Sequence, residues 1–69
     1  MFYLTAFRKD GRQGATLCGP YASMADASHD VQVVWDMVAD AQDIGDIAAI
    51  VPMLAISGTK ALFHPSELQ

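Results

Sequence analysis

One segment of this chain has a clear period, and it dictates most of what the rest can become. From Ser23 to Ile44, at about 100° per residue, Met24, Ala27, Val31, Val34, Trp35, Val38 and Ala41 fall on one stripe, and Asp26, Asp30, Asp36, Asp40 and Asp43 fall opposite it. The spacing predicts a single amphipathic helix. Ser23 has the side chain of an N-cap, with Asp26 three residues on as a short capping box, and Gly45 supplies a stop. Within the acidic face stand Val33, Met37 and Ile44, apolar residues that the buried stripe does not require.

A helix needs an apolar surface to lie on, and the remaining segments read as strands. Residues 2–9 are rich in aromatic and β-branched side chains without helical spacing, Asp10-Gly11 and Gly14 suit a hairpin loop, and Ala15–Cys18 returns as a second strand that Gly19-Pro20 ends. The aliphatic run Ile47–Ile56 reads as a strand buried on both faces, except that Pro52 demands an edge or a bulge. Ser57-Gly58-Thr59 turns the chain into a last strand, Lys60–His64, and Pro65 opens a short helical turn through Leu68. The expected fold is α+β, in the order β-β-α-β-β, with one antiparallel sheet covered on one face by a single helix. Residues 1–69 then form a single small domain.

Such a domain has little interior. A chain of 69 residues buries only about 60% of its unfolded surface, yet 52% of this one is hydrophobic and 17% charged. The surplus apolar surface predicts a homo-oligomer, a homodimer in the first instance. A net charge of -4 opposes direct binding of nucleic acid, although five aspartates along one helix also resemble phosphate spacing, the pattern of a nucleic-acid mimic. Arg8, Lys9 and Arg12 gather at the hairpin tip as a secondary basic element.

Catalytic and metal chemistry find no support. Cys18, His29, His64 and the aspartates have no motif spacing, two histidines 35 residues apart make no ligand set, and Gly11, Gly14 and Gly19 do not lead a strand into a helix as a phosphate loop must. The expectation is no enzyme, no metal and no cofactor. One cysteine excludes an internal disulfide and suits a reducing, cytoplasmic setting, while the N-terminal residues lack a secretion signal and no apolar run spans a membrane.

Gly58-Thr59-Lys60-Ala61-Leu62-Phe63-His64-Pro65-Ser66-Glu67-Leu68, about a sixth of the chain, resembles the C-terminal end of small phage-encoded type I-F anti-CRISPR proteins in its run of turn, strand, proline, acid and leucine. Element order is compatible; the helix departs freely and transfers no functional residue. The resemblance implies a stoichiometric inhibitor that binds a host CRISPR-Cas effector complex in the host cytoplasm. Gly19-Pro20-Tyr21-Ala22-Ser23 similarly resembles the strand-to-helix joint of small bacterial and phage proteins. The resulting expectation is an acidic interaction module for a larger protein or complex, with Val33, Met37, Ile44 and the five aspartates at the contact. The alternative is an accessory or regulatory subunit of a bacterial or phage assembly.

Overall fold

The computed structural model describes residues 1–41, 45–56 and 58–68, the side chains of Asp40 and Ala41 excepted. Strands β1 (Phe2–Arg8), β2 (Gln13–Tyr21) and β3 (Ile47–Leu54) form one antiparallel sheet in the order β2-β1-β3. Helices α1 (Met24–His29) and α2 (Val31–Ala41) connect β2 to β3, and a 3-10 turn, Pro65–Leu68, follows. The class is α+β, with three strands among the described residues where four were expected. Lys60–His64 is no strand: only Phe63 bridges, in parallel, to Cys18 on β2. Leu62 N–H donates to Thr16 O at 3.2 Å, Phe63 N–H to Leu17 O at 2.8 Å, and Gly19 N–H to Phe63 O at 3.2 Å. The tail therefore crosses to the outer edge of β2 instead of folding back on β3.

The hairpin forms where glycine and aspartate allow it. Gly11 sits at φ +87, where L side chains rarely go, and Asp10 Oδ1 accepts the Arg12 N–H at 2.9 Å. β2 runs past its expected end through the cis Gly19-Pro20 bond to Tyr21. The reason is a register irregularity between the Phe2↔Tyr21 and Leu4↔Cys18 pairs, which removes the need for a proline N–H in the ladder. A Cβ on Gly19 would overlap the Tyr3 ring.

Residues of the sheet and of both helices share one core. Leu4, Ala6, Leu17, Cys18, Tyr21, Ala27, Val34, Val38 and Ile50 form the core, with Val31, Trp35, Phe63 and Leu68 packed against it. Ser23 Oγ caps α1 by accepting the Asp26 N–H at 3.1 Å, as expected. Continuity is not as expected. Asp30 ends α1, its N–H turning back to Ala27 O at 3.1 Å, while its own carbonyl accepts from Val34 in α2 at 3.0 Å. Ala27, Val34 and Val38 of the expected stripe are buried, whereas Met24, the first residue of α1, is 54% exposed. The expected stop at Gly45 follows Gln42, Asp43 and Ile44, which lie outside the described residues.

β3 also differs. Only Ile50 is fully buried in it, because β3 is an edge strand and the helices reach it from one side. An edge is one of the two settings that Pro52 permits.

Candidate interaction surface

Two stripes divide α2. Val31, Val34, Trp35 and Val38 share the spacing i, i+3, i+4, i+7 and face the core. Val33, Asp36 and Met37 follow that spacing two residues later and occupy the opposite side of the helix. Val33 is 39% exposed, Met37 is half-buried, and Asp36 is exposed with its Oδ1 accepting the Gln32 Nε2–H at 3.2 Å. The side chain of Asp40, and Asp43 and Ile44 altogether, lie outside the described residues. Asp26 is exposed on α1, a separate helix.

Asp30 does not belong to this surface. The helix break turns it inward, where its Oδ2 accepts the Tyr21 hydroxyl at 2.9 Å. Tyr21 Oη lies 3.2 Å from Cys18 Sγ, and since the one phenolic proton goes to Asp30, the thiol donates to Tyr21. Burial pushes both the Tyr21 hydroxyl and the Cys18 thiol above their ordinary pKa values. A fully buried, protonated thiol is a poor nucleophile, and the chain Cys18–Tyr21–Asp30 acts as a fastener between β2 and the helix joint. Periodicity alone had placed Asp30 in solvent; the available signal was that a buried tyrosine requires a partner for its hydroxyl.

At the hairpin tip the basic residues are partly neutralised. Arg8 Nε lies 3.9 Å from Asp10, an Arg8 terminal nitrogen 3.8 Å from Asp46, and Arg12 Nε 4.0 Å from Asp10, all with well-exposed side chains. Exposed pairs of this kind contribute little to stability, but they make the tip a mixed-charge surface. A concavity of about 170 Å³ lined by Arg8, Lys9, Asp10 and Asp46 lies there. A second, of about 190 Å³, has Ala6, Leu17 and Ile47 in its floor. Both are smaller than the roughly 300 Å³ at which small-molecule sites begin. Among the described residues no group of three or more His, Cys, Asp or Glu is placed to hold a metal, and no helix is long and apolar enough to cross a membrane.

No family model matches the chain, and no curated protein or solved structure is similar to it.

Proposed function

We propose that this chain is a small acidic, non-catalytic interaction module that docks on a larger protein through the outer face of α2. The observation that carries this reading is Val33 and Met37 flanking Asp36 on the side of α2 turned away from the core. Methionine and valine supply adaptable apolar contact, and the aspartates select a basic counter-surface by steering and by rejecting acidic ones. The resemblance of the tail to type I-F anti-CRISPR proteins names the partner to try first, a host CRISPR-Cas effector complex, whose RNA- and DNA-binding surfaces are basic.

The test is DNA binding by a purified type I-F effector titrated with the chain. Stoichiometric inhibition by wild type, weakened tenfold or more by Met37→Asp and Val33→Asp with unchanged circular dichroism, supports the proposal. Inhibition that both variants retain removes α2 from the interface. Absence of any interaction removes the effector as partner, and recovery of a different assembly through the same face assigns the accessory-subunit role instead.

A further inference from the structure

The outer edge of β3 is separate from α2 and is defined by its backbone bonding. Met1 and Ala55 exchange two backbone bonds, Ala55 N–H to Met1 O at 2.9 Å and the Met1 amine to Ala55 O at 3.4 Å. Such a reciprocal pair fixes the alternation along an antiparallel ladder. The register runs without shift through Phe2↔Leu54, Tyr3↔Met53, Leu4↔Pro52, Thr5↔Val51, Ala6↔Ile50 and Phe7↔Ala49. Odd-numbered residues of β3 therefore bond inward to β1, whereas Ile50, Pro52 and Leu54 direct their backbone groups outward. Pro52 lacks its N–H at one of these outward positions, so the ladder to β1 loses nothing.

Among the described residues no strand pairs with that outer edge. Of the devices that usually protect an edge it has Pro52 and, at its far end, a register irregularity between the Phe7↔Ala49 and Arg8↔Ile47 pairs. No charged side chain occurs from Ile47 to Thr59. Leu54 is 72% exposed and Ile56 82%, more than any other large hydrophobic described.

We infer that two copies of this chain pair antiparallel through β3, about a two-fold axis at Leu54, to form a continuous six-stranded sheet. In this register Leu54 exchanges two backbone bonds with Leu54 of the second copy, and Pro52 faces its Ile56. The Ile56 N–H then meets the Pro52 carbonyl. The missing Pro52 N–H would have faced the Ile56 carbonyl, which is already satisfied within its own chain by the Thr59 N–H at 3.3 Å and the Thr59 hydroxyl at 2.8 Å. The edge is self-complementary at the one position where proline would otherwise leave an acceptor unpaired. Side chains agree with the backbone, because Leu54 meets Leu54 and Ile56 meets Pro52 on one face.

Charge favours a second copy over other occupants. The chain carries -4, but no acid falls between Ile47 and Leu54, so β3 itself adds no like-charge repulsion. An anionic lipid surface would be repelled by the net charge of -4. A standard interface takes about 800 Å² from each partner, under a fifth of the 4368 Å² available.

Leu54→Cys tests the register directly. Across the two-fold axis the paired Cα atoms stand about 5.5 Å apart, within the range of roughly 4.4–6.8 Å that a disulfide spans. Treated with diamide as oxidant, Leu54→Cys is expected to cross-link rapidly to a covalent dimer. Wild type, whose Cys18 is buried, and Ala39→Cys on the exposed side of α2 are not. In sedimentation equilibrium, wild type is expected to dimerise and Leu54→Asp to remain a 7.4 kDa monomer at the same concentration. Cross-linking no faster than in Ala39→Cys overturns the inference, as does a wild-type monomer up to about 1 mM. Binding of wild-type monomer to phosphatidylcholine vesicles, lost in Leu54→Asp, assigns the patch to lipid and overturns it too. Leu54→Asp leaves Val33 and Met37 unchanged, so its effect on dimerisation is read separately from the α2 variants.

Discussion

Strands β1 and β3 lie side by side and pair residue for residue, yet they live in different environments. Tyr3, Leu4, Thr5 and Ala6 of β1 are four consecutive buried residues; β3, the more aliphatic of the two, buries only Ile50. Composition would assign them the other way round. In a three-stranded sheet only the middle strand has a neighbour on each side, so position in the sheet decides burial before hydrophobicity does. The aliphatic character of β3 is surplus to the fold of one chain, which is what makes its outer edge available to another.

The largest expected effect comes from the middle of β1. Leu4 is fully buried, and Leu4→Ala should destabilise the chain by about 3 kcal/mol in urea unfolding, a large part of the ~5 kcal/mol expected of so small a domain. Gly19→Ala should cost about 2 kcal/mol, because the new methyl group must displace the buried Tyr3 ring at a positive φ. Unchanged stability would show that β1 and β2 can separate without penalty and would break the contrast with β3.

Tyr21→Phe should cost about 1 kcal/mol at neutral pH through the lost hydrogen bond to Asp30. Its pH dependence is more informative. The folded-state pKa values of Tyr21 and Cys18 are raised, so both contribute stability that is complete below their unfolded values and is lost as pH rises past them. Wild type should weaken from about pH 9 upward, and Tyr21→Phe, retaining only the cysteine contribution, should weaken less steeply. Parallel curves would detach the fastener from the alkaline transition. The smallest effect belongs to β3: at a dilution where the chain is monomeric, Leu54→Ala should change stability by less than about 0.5 kcal/mol. A loss comparable to that of Leu4→Ala would erase the distinction between the strands.

The helical core was legible because Ala27, Val34 and Val38 follow a local period. The joint at Asp30 was not. No glycine or proline marks it, and it depends on Tyr21, nine residues back in another element. The hairpin was visible in Asp10-Gly11, whose conformational demand is local, and the terminal turn in Pro65. The destination of Phe63 was hidden, since pairing with Cys18 spans 45 residues and leaves no trace in spacing. Pro52 alone told that Ile47–Leu54 could sit at an edge, and the aliphatic run around it argued for the opposite. For the outer face of α2, Val33 and Asp36 stood out by period, while Asp30 was misplaced for the same reason that the joint was missed.

The tail that lies along β2 from Thr16 to Gly19 limits growth. A sheet with two bare margins can recruit copies without end and run into a fibril, but here one margin is stoppered by the chain's own C-terminal residues. If β3 pairs with a second copy as inferred, the tail bonded along Thr16–Gly19 would keep the other margin of the sheet from adding a third.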